Sequence, residues 1–494
     1  MKNACIIGTG AAGWMSCLYL SSYDDMFDNI TIIGSSEIPP IGVGESNTMS
    51  IVQFNSVCNV SVSDFVKNTD AAIKYGVMYE GWGKEGTRFL HGFKNSRVFS
   101  EIYGIPVTTY FRSFKNKSPH INLHEYYGKQ LYDIITKNEI ILGNHESSRN
   151  WYPYSWHFDA AKYIEYISGL CKSRSNVKFV DAKVDDVIKT GDKIDHIIID
   201  GNKKLKFDYY IVATGYNDIL NDDQVHLDDV LLTDKAWVYP LKYKDKPQQF
   251  HPYTVAKTMR NGWRWITPTQ SRIGTGYVFS SKFIEPDKAR DEFINDVGED
   301  IDPILVDFHP RYNKKSFHEN YCTVGLANGF LEPLDAPGLT ISIETLKHLR
   351  RIMTEKYANH ELHHRIARSN DIMEQRYKFW AAFILCQYKT SHRNDSPFWI
   401  AHKSVEYDYY DQLIDLLDNV YCDYQDLAMF MHTMAGKDVS WSGQSTNSCE
   451  PIKCVEMNQI QTKPHQYILD EIMGKVIDQA TPPKKKIKGH PALV

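Results

Sequence analysis

The sequence predicts an α/β fold with a Rossmann-like dinucleotide-binding body and a largely helical carboxy-terminal region, and three observations carry that reading. The chain opens on an apolar run, a glycine-rich turn and a helix-like run, in that order. Strand-like and helix-like segments then alternate to about residue 345. Beyond that point apolar residues recur three and four apart, as they do on helices that pack through one face.

Taken in order, Ala4-Cys5-Ile6-Ile7 reads as a buried strand, Gly8-Thr9-Gly10-Ala11-Ala12-Gly13 as the turn, and Ala11 to Ser21 as the helix. In such a G-x-G-x-x-G turn the first glycine permits a tight bend and the second lets backbone approach a pyrophosphate. The third allows close helix packing, while the helix N-terminus offers N–H donors and a positive dipole end. Gly8, Gly10, Ala11, Ala12 and Gly13 are therefore candidate cofactor residues. The second strand, Asn29 to Ile33, ends at Gly34, where an acid for a ribose hydroxyl is usual. Glu37 lies three residues later; it either reaches round to the ribose or is a solvated loop side chain. A further apolar strand within Phe207 to Tyr216 ends in the small-residue turn Ala213-Thr214-Gly215, which favours FAD over a bare NAD fold.

The helical periodicity covers Thr345 to Tyr357, Leu362 to Leu385 and Tyr407 to Met434. The organisation expected is an α/β catalytic body over 1–345, a helical subdomain over 346–480 and a basic, proline-containing tail over 481–494. With 494 residues there is enough chain for a large core, and a net charge of −5 gives no reason to invoke nucleic acid. No apolar run reaches the roughly 18 residues of a membrane span, and Met1-Lys2-Asn3 leads straight into a strand, so a cytoplasmic enzyme with no membrane partner is expected. Nine scattered cysteines without a C-x-x-C pair read as reduced thiols, and no metal site is expected from the 19 histidines.

Further motifs fall in a fixed order along the chain. Gly262-Trp263-Arg264-Trp265-Ile266-Thr267-Pro268 matches G-W-x-W-x-I-P, with Thr267 where isoleucine is usual, and continues through Arg272 to Val278. Ile41-Gly42-Val43-Gly44-Glu45, Tyr154-Ser155-Trp156-His157-Phe158-Asp159 and Asp395-Ser396-Pro397-Phe398-Trp399 resemble, in turn, the flavin strap, the Y-H-F-D region and a late helical segment of one known family. On these colinear motifs the chain resembles the flavin-dependent halogenases typified by the tryptophan halogenases.

The resemblance implies a flavin monooxygenase type of body and a reaction in two separated stages. Reduced FAD from a separate flavin reductase, dioxygen and a halide ion give hypohalous acid, which passes through a tunnel to a lysine and halogenates a small aromatic substrate. The family's lysine lies in A-I-K-x-G, which aligns on Ala72-Ile73-Lys74-Tyr75-Gly76, so Lys74 is the implied catalytic residue. It either hydrogen-bonds hypohalous acid or forms a haloamine. From the residues alone, burial would lower its pKa, and the plain alternative is a lysine snorkelling from a helix. The family's P-L-E-S-T-G aligns on Pro333-Leu334-Asp335-Ala336-Pro337-Gly338, which puts Asp335 in the place of the second catalytic group with a shorter arm. Glu332 is a nearby alternative acid, and a helix cap is the structural alternative for Asp335.

Pro337 and Gly338 occupy the halide positions, and proline has no N–H to offer. Bromide or iodide is therefore expected to be favoured over chloride. Val43, Gly44, Glu45 and Leu326 join the implied flavin contacts, with Pro337 and Gly338 beside them. Trp263, Trp265 and Pro268 are implied tunnel residues, whereas His91 and Phe93 either flank an indole or phenol or simply pack. Family members commonly form homo-oligomers. Two other readings stay open, a flavin-dependent aromatic monooxygenase and a catalytically silent flavin-binding protein.

Overall fold

The computed structural model describes residues 2–37, 46–93, 101–102, 105–106, 132–141, 154–354, 361–419, 429–430, 433–434, 437 and 462–474. Two sheets organise the body. The first has five strands in the order Val177–Asp181, Asn29–Gly34, Asn3–Ile7, Tyr209–Val212 and Tyr321–Thr323, and all neighbours are parallel. Its central strand Asn3–Ile7 is buried from Ala4 onward, as a strand covered on both faces must be. The chain then turns at Gly8 and enters the helix Ala11–Leu20.

The second sheet has seven strands, and its centre is the antiparallel set Lys235–Leu241, Ile273–Phe279, Gly262–Pro268 and Thr254–Met259. Thr254–Met259 also pairs in parallel with Gly76–Glu80, which brings an early segment to the middle of the molecule. Just before it, Ala72–Lys74 pairs antiparallel with Ser155–His157, Lys74 opposite Ser155 and Ala72 opposite His157. Lys74 thus stands on a strand, and the helix-borne snorkelling alternative does not apply.

Helices dominate the later chain, with one correction to the expected onset. The helix runs Pro337–Met353 and starts eight residues before 345, so the boundary drawn there passes through its middle. Proline at the first helical position fits because its missing N–H has no intrahelical acceptor to serve. The helix Leu362–Lys389 follows, then Pro397–Lys403 and Asp408–Asn419. Tyr388 and Phe383 of the long helix share one apolar cluster with Trp82, Trp263 and Leu334 of the body, so the helical region closes the same core. Residues 43–45, 420–428 and the tail 481–494 lie outside the described residues, and with them the expectations placed on Val43, Gly44 and Glu45.

Candidate functional site

A cavity of about 660 Å³ separates the carboxyl edge of the parallel sheet from one face of the seven-stranded sheet. Gly8, Gly10, Ala11 and Ala12 line it at one end, with Ala213, Thr214 and Gly215 beside them. The carboxyl ends of parallel strands are where open α/β sheets bind ligands. Gly8 adopts φ +112°, and a Cβ there would stand 2.2 Å from the Ala213 carbonyl oxygen. Gly13 lies outside the lining and serves packing, since its Cβ would meet the Gly8 oxygen at 2.0 Å. Among the described residues nothing stands within 4 Å of such a carbon on Gly10 and no side chain caps the helix that follows, so the cradle and the N–H groups of that helix start fit a dinucleotide phosphate. At the second strand the cavity is lined by Gly34 and Ser35, whereas Glu37 is exposed and outside the lining; the structure does not bring it to the ribose position.

Strand alternation builds the opposite wall. Trp263, Trp265 and Thr267 are two residues apart on Gly262–Pro268, so their side chains share one face, and all three line the cavity. The Trp265 ring lies over Gly276, where a Cβ would be 2.1 Å from Cη2. The Trp263 indole N–H donates to Glu332 at 3.3 Å. Thr267, 1% exposed, has a buried hydroxyl with no hydrogen-bond partner among the described residues. Pro268 does not line the cavity; its carbonyl bonds His157 at 2.9 Å.

Asp335 and Ala336 form the turn into the helix Pro337–Met353 at φ 61° and 53°, a left-handed pair without glycine. Such backbone costs on the order of 1–3 kcal/mol per residue and persists where its surroundings impose it. Ala336 holds the N-cap position and, among the described residues, no side chain caps the helix, so Asp335 is not a cap. Its carboxylate instead accepts from the Tyr79 hydroxyl at 2.5 Å and lies 3.6 Å from His91 Nδ1. Pro337, Gly338 and Leu339 follow on the cavity wall with Leu326 from the preceding segment.

Lys74 lies beyond Ser46, which itself lines the cavity. The ammonium donates to Ser46 Oγ at 2.6 Å and to the Asn47 carbonyl at 2.9 Å. Burial is the main influence on it and brings its pKa down to about 7, against the opposing charge of Asp335. Phe93 stands with its ring centroid 5.2 Å from Nζ, so His91 and Phe93 both belong to the Lys74 and Asp335 end. Glu332, 1% exposed, accepts from Thr233 at 2.7 Å and Tyr388 at 2.9 Å, and burial pushes its carboxyl up to about 7. Those partners tie Glu332 to the wall behind Trp263.

The sequence reading did not anticipate Tyr79, Ser46 or Thr254, whose hydroxyl on the cavity wall lies 2.8 Å from Ser46 Oγ. A lone tyrosine or hydroxyl carries no pattern, and only folding brings them to Asp335 and Lys74. His157 stood within the quoted Y-H-F-D region but without a role.

The model of the tryptophan halogenase family matches residues 3–445. Tryptophan 7-halogenase RebH of Lentzea aerocolonigenes is 26% identical over 430 residues, 81% of this chain and 78% of that one. Tryptophan 6-halogenase SttH of Streptomyces toxytricini is 24% identical over 423 residues, 80% and 79% of the two chains. In fold the chain is similar to a tryptophan halogenase from Shewanella frigidimarina, with a TM-score of 0.81, 20% identity and coverage of 96% and 98%. The flavin-dependent halogenase BrvH of Brevundimonas sp. gives a TM-score of 0.78 at 21% identity, covering 89% and 90%. Flavin-dependent halogenases need FAD, reduced by a separate reductase, and a halide. The glycine cradle, the tryptophan-lined cavity and these matches lead to one assignment: the chain belongs to the tryptophan halogenase family and is an FAD-dependent enzyme.

Proposed function

We propose that this enzyme transfers an electrophilic halogen to an electron-rich aromatic ring of indole or phenol type, at a site formed by Lys74 and Asp335. The observation that carries the reading is the buried Lys74 amine, held by Ser46 and Asn47 just beyond the cavity wall, with the Asp335 carboxylate acting on it. Bound FAD, once reduced, supplies hypohalous acid from dioxygen and halide. Gly8, Gly10, Thr214 and Gly215 would hold it.

An ammonium has three N–H donors. Among the described residues two are engaged, by Ser46 and Asn47, which leaves one for the oxygen of hypohalous acid. Polarised in this way, the oxygen–halogen bond breaks as the ring takes the halogen, and the departing oxygen leaves as water with the lysine proton. Asp335 then accepts the proton that the ring carbon loses and passes it back to the Lys74 amine, which restores both groups and completes HOX + ArH → ArX + H₂O.

Halide choice follows from the helix start. Pro337 removes one N–H from the cavity wall, so bromide and iodide, which shed water at lower cost than chloride, are the favoured ions. The test combines purified protein, a flavin reductase, FAD, NADH and a panel of indoles and phenols. Halide-dependent gain of halogen mass supports the reading. Hydroxylated product without halide dependence would make the enzyme a monooxygenase, and no product with retained flavin binding would make it a silent binder.

A further inference from the structure

Behind Lys74 lies a chain of hydrogen bonds whose direction can be assigned from end to end. Lys74 Nζ is 2.6 Å from Ser46 Oγ, Ser46 Oγ is 2.8 Å from Thr254 Oγ1, and Thr254 Oγ1 is 2.9 Å from His157 Nε2. The other ring nitrogen, His157 Nδ1, is 2.9 Å from the Pro268 carbonyl oxygen. A carbonyl only accepts, so Nδ1 carries the imidazole proton and Nε2 of the neutral ring is an acceptor. The single hydroxyl proton of Thr254 must then point at His157. Thr254 therefore accepts from Ser46, and Ser46, its own proton committed, accepts from Lys74.

His157 is fully buried, and burial first, then the charge of Lys74, hold it neutral. The two other histidines that act on it are neutral by the same cause. His251 donates Nδ1–H to the Tyr253 carbonyl at 2.8 Å, and His465 Nε2 accepts the Ile73 N–H at 2.9 Å. Asp335 is the charged group facing Lys74 from the helix side, and Phe93 presents only its ring.

We infer that Ser46, Thr254 and His157 form a one-way hydrogen-bond chain that keeps Lys74 in its protonated, hydrogen-donating form, with His157 as a positioning residue acting at a distance of two hydroxyls. The inference rests on the proposed role of Lys74. It deepens that role, because a serine that can only accept stabilises an ammonium and gives nothing to the lone pair of a free amine. The chain thus favours a lysine that hydrogen-bonds hypohalous acid over one that forms a haloamine. Were His157 to take a proton at Nε2, both hydroxyls would reverse and Ser46 would donate to Lys74, which would then be neutral. A proton on Lys74 and a proton on His157 therefore oppose each other.

The test is Thr254→Val, which removes the middle link at constant shape, with Thr254→Ser restoring it. His157→Asn retains an amide donor in reach of the Pro268 carbonyl and cannot reach Thr254. Because His157 does not line the cavity, this second variant breaks the chain without touching the flavin site. The Lys74 titration is read by NMR on protein carrying ¹³Cε-lysine, with the resonance assigned by its loss in Lys74→Met, and the pH profile of halogenation is measured in parallel. In Thr254→Val and His157→Asn, Ser46 becomes free to donate to the amine, so the Lys74 titration and the alkaline limb of activity move down by about one pH unit. Thr254→Ser keeps the wild-type values. A titration unmoved in both broken variants overturns the inference, even if activity falls uniformly across pH. Failure of the halogenase reading shows separately, as absence of halogenated product from the wild type at every pH, while the NMR titration still reports on the chain.

Discussion

The Tyr79 hydroxyl donates to the Asp335 carboxylate at 2.5 Å, from the strand Gly76–Glu80 to the turn ahead of the helix Pro337–Met353. The bond aims a carboxylate on a short arm toward the Lys74 end of the molecule. It also provides a clean test of charge. Asp335 stands at φ 61°, where asparagine is among the best tolerated residues. Asp335→Asn should therefore fold, bind FAD and make peroxide as before while halogenation falls by about 10²–10⁴. Retained halogenation in this variant, with product followed by mass, would exclude the carboxylate as base.

Lys74→Ala and Lys74→Met should both abolish halogenated product and leave flavin binding and peroxide formation near wild type. Met fills most of the volume, so loss in both variants isolates the amine from the packing. Should FAD binding fail together with activity, Lys74 would be structural.

Glu332 carries a pH signature of its own. Its carboxyl is pushed up to about 7 from an ordinary 4.5, so its contribution to stability is fully present below 4.5 and is lost as pH rises to about 7. Glu332→Gln removes that loss. The melting temperature of the variant should thus gain on wild type between pH 4.5 and 7, by the equivalent of about 3 kcal/mol at most. A constant difference across this window would show that the acid titrates normally.

How much of this was legible beforehand differs from part to part. The glycine turn after Ala4-Cys5-Ile6-Ile7 and the alternation of Trp263, Trp265 and Thr267 are local patterns, and both walls of the cavity follow from them. The onset at Pro337 carried a signal in proline's preference for the first helical position, but the apolar spacing beyond 345 outweighed it. The left-handed pair Asp335 and Ala336 carried none, because neither is the glycine such backbone usually selects. Ser46, Thr254 and His157 come from three separate stretches, and no spacing within one stretch encodes a contact made only in the fold.

Halide competition tests the helix start. An N–H donated to an anion contributes about 1.5–3 kcal/mol, roughly ten- to a hundredfold in affinity. At equal concentrations bromide and iodide should outcompete chloride, once spontaneous iodination is subtracted with Lys74→Ala. Pro337→Ala restores the missing N–H at a position whose backbone suits it and should raise chlorination relative to bromination by about tenfold. Chlorination equal to bromination in the wild type would show that another donor already fills the gap.

The left-handed turn at Asp335 and Ala336 also constrains how this protein can be re-engineered. Within four consecutive residues it sends a carboxylate to Tyr79 and hands the next peptides to the cavity wall. If Asp335 and Pro337 act as proposed, ring chemistry and anion preference share one mechanical joint, and a change that relaxes the joint for one moves the other. Asp335→Asn and Pro337→Ala keep the turn's backbone, whereas libraries that replace its left-handed pair gain by varying 335–338 as a block, since such changes will display trade-offs that belong to the joint and not to the side chain replaced.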